Sequence, residues 1–230
     1  MNLLKPKIDL IIQARVGSKR LPGKSLFDLA GEPLVGRILE RVSRCRNIDQ
    51  IILAIPDTNE NLPLLELGYK YGVKVYQGPE DDLVERYFKA AQLFKSEFIC
   101  RLPADNPTPE PEEIDRIIEY HLKLTKKGFS TNLAEVKGSG YPDGIGVEIF
   151  DINLLAHVRN NISDPQKREH VHLNFFDYQS GKAVDEKWCP INTVECPKEF
   201  RRPDLILDVN TNEQYLFMKE LYKYLYPINP

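Results

Sequence analysis

The sequence has few cysteines, and none is paired closely with another. It contains four in 230 residues, namely Cys45, Cys100, Cys189 and Cys196. No two of them form a Cys-x-x-Cys pair, and four thiols are too sparse for the disulfide framework of a small secreted protein. The cysteines therefore predict reduced thiols and a cytoplasmic protein.

Long apolar stretches and an excess of basic charge are also missing. No run approaches the roughly 20 apolar residues that cross a bilayer, and the opening Met-Asn-Leu-Leu-Lys-Pro-Lys does not resemble a signal peptide. The net charge is −3, whereas nucleic-acid-binding domains usually carry a basic face. We therefore expect no membrane and no nucleic-acid partner, and an RNA-binding α/β domain is disfavoured.

Apolar runs alternate with amphipathic stretches through the first half of the chain. Buried strands are predicted at residues 8–12, 51–55, 73–76 and 98–102, and helices over 34–46, after Asp57 and Thr58, over 81–95 and over 110–127. This alternation predicts a largely parallel sheet covered by helices on both faces. Ligands of such sheets bind beyond the carboxyl ends of the strands.

The second half is less regular. Strands are predicted over 130–135 and 144–150, separated by the Gly-rich stretch 137–140, and helices over 151–160 and 165–179. A hairpin of 184–188 with 191–194, a last strand at 205–207 and a C-terminal helix opened by Thr211 and Gln214 follow. With 42% hydrophobic residues and no repeat or linker, we expect one domain, 1–230, with an inserted lobe at about 137–195.

A basic loop follows the first strand. Its four cations alternate with small and turn-forming residues: Arg15, Lys19, Arg20 and Lys24 stand among Gly17, Ser18, Pro22 and Gly23. Small residues let backbone N–H groups approach a ligand, and clustered Arg and Lys bind phosphate oxygens. The loop therefore predicts a phosphate site, and a solvated basic loop is the alternative.

Two aspartates each follow a short apolar strand. Asp105 comes after 98–102, and Asp208 comes after 205–207. Mg²⁺ is typically held by one or two carboxylates together with substrate phosphates, so these residues are candidate ligands. The alternative is that each is a turn or cap residue.

The histidines favour less specific roles. His121 lies on an apolar helix face and is predicted to be packed in the core. Residues around His170 and His172 suggest a helix, on which the two side chains diverge; we expect polar or substrate contacts for His170 and no special role for His172. No Ser/His/Asp nucleophile arrangement is visible.

The stretch from Ile12 to Lys24 resembles the opening motif of the SpsF-like cytidylyltransferases, which are related to the enzymes that activate sialic acids and Kdo with CTP. Further similarity lies in segments 75–87, 101–107, 141–148, 168–171 and 205–208. The chain departs from the family pattern in three places. Ala-Asp-Asn-Pro stands at 104–107 for Gly-Asp-Cys-Pro, Gln77 for an arginine and Gly146 for an aspartate.

The resemblance implies a three-layer α/β/α nucleotidyltransferase fold, GT-A or Rossmann-like, with a mostly parallel mixed sheet and a small dimerisation lobe. It further implies a homodimer that transfers CMP from CTP to a sugar acid or related small acidic acceptor. Pyrophosphate would be released, and the product would serve surface-polysaccharide precursor synthesis. The alternatives are another nucleotide such as GTP, a phosphate or phosphonate acceptor, or a nucleotide-binding protein without catalysis.

The resemblance also implies roles for individual residues. The catalytic residues would be Arg15, Lys24, Asp105 and Asp208, with Mg²⁺ on Asp105 and Asp208. The nucleotide would be bound by Ala14, Arg15, Gly17, Ser18, Arg20, Lys24, Gln77, Asp82 and Arg86. The acceptor would be bound by Tyr141, Asp143, Glu148, Arg168, Glu169 and His170.

Overall fold

The computed structural model describes residues 5–136 and 138–228. The expectations for the first four residues and for Lys137 in the Gly-rich stretch lie outside these ranges. The strands, in chain order, are β1 (Ile8–Gln13), β2 (Asp28–Leu29), β3 (Glu32–Pro33), β4 (Gln50–Pro56), β5 (Lys74–Gly78), β6 (Phe98–Pro103), β7 (Phe129–Thr131), β8 (Glu148–Asp151), β9 (Phe176–Asp177), β10 (Lys182–Ala183) and β11 (Ile191–Asn192).

The α-helices alternate with the strands in the first half, as predicted. They are α1 (Leu34–Val42), α2 (Leu62–Lys70), α3 (Leu83–Phe94), α4 (Pro111–Lys123), α5 (Ile152–Asn161), α6 (Pro165–Glu169) and α7 (Asn212–Leu225). Among the described residues, none of these helices has the length and apolar character of a membrane span.

A seven-stranded sheet forms the middle layer, in the order β11-β7-β8-β6-β1-β4-β5. Strands β6, β1, β4 and β5 are parallel, whereas β8 runs antiparallel to β6 and β7. The predicted mostly parallel mixed sheet is therefore confirmed. The register pairs Gln13 with Pro103, so the loops that leave β1 and β6 start side by side at one edge.

Helices cover both faces of this sheet. Because successive side chains of a strand point to opposite faces, Leu10 and Ile12 of β1 pack in one core cluster and Ile11 in another. The first cluster includes residues of α1, α2, α4 and α7, and the second includes residues of α3 and α5. This is the three-layer arrangement that the resemblance implies.

The second half differs from prediction in its helices. The helix predicted over 165–179 ends with α6, and a 3₁₀ turn (Val171–Asn174) and strand β9 follow. His170 has φ −124° and ψ 86°, which no helix continues through. The Asn174 side chain donates hydrogen bonds to the carbonyls of Lys167 and Val171, and these bonds replace helical ones.

Several predicted strands of the second half are wrong or shorter than expected. The 184–188 segment is not a strand, and β11 pairs in parallel with β7 rather than in a hairpin. The strands predicted over 130–135 and 144–150 shrink to β7 and β8, and the strand predicted at 205–207 is reduced to one bridge between Asp143 and Ile206. The capping box of Thr211 and Gln214 that opens α7 is confirmed.

His121 is packed in the core, as predicted. It is fully buried, its Nδ1 lies 2.7 Å from Ser130 Oγ, and its Nε2 has no partner among the described residues. Burial lowers the pKa of His121 to about 4. The folded protein therefore holds this imidazole neutral where the unfolded chain protonates it.

Gly144 lies against the segment that leads to α7. Its φ is +95°, and a β-carbon there would stand 2.9 Å from the backbone N of Asp208. The carbonyl of Leu205 accepts from the N–H of Asp143, and the N–H of Leu207 donates to the carbonyl of Asp143. The absence of a side chain at Gly144 thus lets the two segments meet at the sheet edge.

We predict that Gly144→Ala destabilises the fold by about 2–3 kcal/mol, the sum of left-handed backbone strain and overpacking against the Asp208 backbone. Gly31→Ala is the matched control, since Gly31 has φ +91° but a β-carbon there would meet no atom within 4 Å. Urea unfolding of both variants measures the difference. Equal losses would contradict the close approach at Gly144.

A second prediction concerns acid stability. Because the folded pKa of His121 is depressed, the unfolded state binds more protons between about pH 6.5 and 4, and stability is lost as the pH falls through this window. Between pH 8 and pH 5, the free energy of unfolding should therefore fall by about 2 kcal/mol less in His121→Gln than in the unsubstituted chain. The exposed His157 provides the control, His157→Gln, whose pH dependence of unfolding should match that of the unsubstituted chain.

Candidate active site

A cleft of about 800 Å³ opens at the carboxyl ends of β1 and β6, a size typical of small-molecule sites. Most of the predicted site residues line it. They are Ala14, Arg15, Ser18, Arg20, Lys24, Arg86, Asp105, Asp143, Glu148, Glu169, His170 and Asp208. The cleft therefore brings together residues from both halves of the chain.

The loop after β1 is held in shape by its own backbone and by the segment that leads to α2. The N–H of Gly23 bonds to the carbonyl of Val16, and the N–H of Val16 bonds to the side chain of Asn61 at 2.9 Å. Gly23 has φ +77°, which turns the chain into the 3₁₀ segment that carries Lys24. The loop thereby presents Arg15 and Arg20 to the cleft.

Lys24 is almost fully buried, with 7% of its surface exposed. Its ammonium donates to Asp105 Oδ2 at 3.1 Å, to the Val209 carbonyl at 2.8 Å and to Asn210 Oδ1 at 2.9 Å. The N–H of Val209 also bonds to the Asp105 carbonyl. Lys24 therefore ties the end of β6 to the segment before α7.

Three aspartates interact electrostatically at this point. Burial, followed by the charges of Asp143 and Asp105, raises the pKa of Asp208 to about 6. Burial, followed by the charges of Glu135 and Asp105, raises the pKa of Asp143 to about 6. The resemblance assigned Asp143 to the acceptor, whereas the structure also brings its charge to the two candidate metal ligands.

The donor set fits a magnesium ion that shares its coordination with phosphates. Within the described ranges, no three His, Cys, Asp or Glu side chains form a preformed metal cage. Mg²⁺ needs only one or two carboxylates when substrate phosphates supply the other ligands, and the mutual repulsion of Asp105 and Asp208 is what a divalent cation would relieve. Asp208 is oriented by Asn210 and by Gln214 Nε2, the latter at 3.1 Å.

The floor of the cleft contains a buried ion pair that the sequence did not reveal. Arg101 Nη1 donates to Glu148 Oε1 at 2.6 Å, and Arg101 Nε donates to Gln13 Oε1 at 3.2 Å. Antiparallel pairing of β6 with β8 sets Arg101 opposite Glu148. An arginine within the otherwise apolar strand 98–102 was the available signal, because a buried charge needs a partner.

Residues between α6 and β10 supply another part of the cleft lining. His170, His172 and Tyr178 line the cleft, and the Tyr178 ring meets His172 edge-on. Burial lowers the pKa of His172 to about 2 and also lowers that of His170. We expected no special role for His172 and did not include it among the site residues. In the structure its neutral imidazole lines the cleft.

Five predicted site residues do not line the cleft: Gly17, Gln77, Asp82, Tyr141 and Arg168. Arg168 pairs with Asp82 at 2.6 Å, and Asp82 caps α3. Tyr141 is fully buried and its hydroxyl bonds to Glu113. These three side chains bond to other groups of the protein, and the ligand contacts implied by the resemblance stay predictions.

The departure at Gly146 has a steric reason. A β-carbon at this position would stand 2.6 Å from the carbonyl oxygen of Asn132 and 2.9 Å from its carbonyl carbon. Asn132 is held in turn by its bonds to Glu113 and Val147. With this backbone, no aspartate fits at Gly146, and the cleft lacks that carboxylate.

Comparison with known proteins identifies relatives that share this architecture. The profile of a family described as "Cytidylyltransferase" matches residues 10–183. The chain is 31% identical to the spore coat polysaccharide biosynthesis protein SpsF of Bacillus subtilis, over 93% of this chain and 85% of SpsF. The structure of a cytidylyltransferase from Leptospira borgpetersenii is 28% identical, with a TM-score of 0.83 over 96% of this chain and 88% of that one.

A more distant structure shares the fold alone. It is the CMP:2-keto-3-deoxy-manno-octonic acid synthetase complexed with CTP, 16% identical with a TM-score of 0.69, over 94% of this chain and 98% of that one. The family profile spans most of the sheet and the loops that leave β1 and β6, and Asp208 lies beyond its last matched residue. The chain belongs to the cytidylyltransferase family and is an enzyme of the nucleotidyltransferase type.

Proposed function

We propose that the cleft binds CTP with Mg²⁺ and transfers CMP to an oxygen of a sugar acid or related small acceptor, as one step towards a surface polysaccharide. The single observation that carries this proposal is the convergence of the basic loop with Asp105 and Asp208 around Lys24. Polysaccharide synthesis is supported by the name of the SpsF relative. The expected cytoplasmic location stays a prediction.

The basic loop would bind the triphosphate. Arg15, Arg20 and Lys24 supply positive charge on one side of the cleft, and Ser18 supplies a hydroxyl. Arg15 pairs with Glu169 at 3.1 Å, and Lys24 pairs with Asp105. Phosphate oxygens would compete for these cations, and the resulting charge-assisted bonds are stronger than neutral ones.

The reaction requires an in-line displacement at the α-phosphorus. The acceptor oxygen forms a bond to that phosphorus, the bridging α–β P–O bond breaks, and pyrophosphate leaves; a hydroxyl acceptor also releases its proton, to solvent. Catalysis of this type depends on positioning and on stabilising charge over the phosphates. Lys24 and Arg20 would stabilise the departing pyrophosphate, and we assign no protein base.

Asp105 and Asp208 would hold the magnesium ion. Bound there, the ion would neutralise phosphate charge and thereby reduce repulsion of the incoming oxygen. Asn210 and Gln214 keep Asp208 in place, and Lys24 keeps Asp105 in place. These contacts orient both carboxylates before any ligand arrives.

The homodimer implied by the resemblance remains a prediction. Exposed apolar side chains such as Val184 and Phe200 lie in or beside the expected lobe. Sedimentation of the purified chain at several concentrations measures its oligomeric state directly.

Nucleotide preference is the first test. CTP with Mg²⁺ should raise the melting temperature more than GTP, UTP or ATP at the same concentration, because a ligand that binds only the folded state stabilises it by mass action. Addition of EDTA should remove most of the shift. An equal or larger shift with GTP would contradict the proposed preference for CTP.

Turnover is the second test. Asp208→Asn should lower CTP-dependent pyrophosphate release by at least about a hundredfold, because it removes a charged metal ligand while keeping the shape of the side chain. Lys24→Met should have a similar effect. Asp204→Asn is the matched control: this exposed residue pairs only with Arg202 in the described structure and should retain full activity.

Each variant's melting temperature is measured alongside its activity. Full activity in a folded Asp208→Asn variant would remove the proposed centre. Binding of CTP without pyrophosphate release, against a broad set of acceptors, would instead indicate a non-catalytic nucleotide-binding protein.

A further inference from the structure

The cleft is lined by two groups of side chains of opposite charge. We call the group Arg15, Lys19, Arg20, Lys24 and Arg86 the cationic end, and the group Glu135, Asp143 and Glu148 the acidic end. Tyr178 is close enough to the acidic end to be affected by its charge. Burial is the largest cause of the raised pKa of its phenol, and the charges of Glu148, Glu135 and Asp143 raise this pKa further. The triphosphate suits the cationic end, so the acidic end faces the other reactant.

Arg101 does not neutralise the acidic end for an incoming ligand. Its side chain is only 4% exposed. Its guanidinium donates to Glu148 Oε1 and Gln13 Oε1. This pair cancels one negative charge, that of Glu148, and gives Asp143 and Glu135 no ion-pair partner within residues 5–136 and 138–228.

Glu148 nevertheless has an acceptor oxygen to spare. The residue is 2% exposed and lines the cleft, and its Oε2 has no hydrogen-bond partner within the described structure. A buried carboxylate oxygen without a donor is costly. An N–H or O–H donor on a bound molecule would satisfy it.

Asp143 and Glu135 add charge without partners. Neither forms an ion pair in the described part of the chain, whereas Asp105 does so with Lys24. A ligand carboxylate here would be repelled. A hydroxyl would satisfy Glu148 Oε2 and leave the charge unbalanced, while an ammonium group donates three hydrogen bonds and balances charge as well.

We propose that the acceptor presents a protonated amino group to the acidic end, at a distance from the oxygen that attacks CTP. The inference rests on the proposed function and names the acceptor class more narrowly: an amino sugar, or a sugar acid that also carries a free amine. The amine binds and orients, and it takes no part in bond making. A carboxylate on the same acceptor would lie toward the cationic end.

The test compares acceptors that differ at one position. 6-Amino-6-deoxyglucose, glucose and glucuronate differ only at carbon 6, and glucosamine with N-acetylglucosamine compares a free amine with a neutral acyl form. With CTP and Mg²⁺, kcat/KM for pyrophosphate release should be at least about tenfold higher for the amine member of each set, the effect of one charge-assisted bond. Glucuronate equal to or better than the amine would overturn the proposal.

A binding measurement decides the case in which none of these sugars reacts. In the presence of saturating CTP and Mg²⁺, the amine member of each set should raise the melting temperature more than its partners at equal concentration. Equal shifts, or no shift with any member, would overturn the amine proposal. Absence of any shift with CTP itself would overturn the proposed function instead, so the two failures are distinguishable.

Two substitutions test the assigned residues. Asp143→Asn and Glu148→Gln should each reduce the preference for the amine member, measured as a ratio of kcat/KM values so that any change in CTP binding cancels, to near unity. Asp204→Asn, outside the cleft, should keep the preference. Because Glu148→Gln also leaves Arg101 without its carboxylate partner, Asp143→Asn decides the outcome if the other variant unfolds, and a preference that persists in it overturns the assignment.

Discussion

The buried ammonium of Lys24 is the interaction on which the cleft depends. It donates to Asp105, to the Val209 carbonyl and to Asn210, and thereby joins two segments that are far apart in the sequence. Neither segment is a regular sheet neighbour of the other. The position of Asp208, directly before Val209, follows from this contact and from the close approach at Gly144.

Two of the cations that we assign to the phosphates pair with carboxylates of the protein. Arg15 meets Glu169 and Lys24 meets Asp105, so the cationic end is already neutralised in part. Nucleotide binding is therefore an exchange of partners, with a smaller net gain than free cations would give. At the acidic end, no ion pair within the described structure gives Asp143 or Glu135 a cation of its own.

The sequence predicted the first half of the fold well because its strands are continuous apolar runs and its helices have clear apolar faces. The strand predicted at 8–12 and the helix predicted over 81–95 are both confirmed, as Ile8–Gln13 and Leu83–Phe94. The predictions for the second half were wrong where strands pair with segments that are distant in the sequence. Nothing near Ile191 indicates that it pairs in parallel with Phe129, and Ile206 makes a single bridge instead of a strand.

The predictions for the site were also partly correct and partly incomplete. Most of the site residues that motif similarity identified line the cleft, including Arg15, Lys24 and Asp208. Motif similarity also included Asp82 and Arg168, whose motif positions do not reveal that the two side chains bond to each other. The ion pair of Arg101 was not predicted, because a single charge in a strand does not identify its partner. That partner, Glu148, lies on a different strand.

At the start of α7, the residue that completes the helix cap also contacts Asp208. Gln214 accepts hydrogen bonds from the N–H groups of Asn210 and Thr211, while its amide nitrogen donates to Asp208. Glutamate serves as well as glutamine in a capping box, but here it would set a further acidic group against Asp208. Helix propensity alone predicts no effect of that exchange. If Asp208 holds Mg²⁺ as we propose, tolerance to mutation along α7 is limited by the site at its first turn and by packing beyond it.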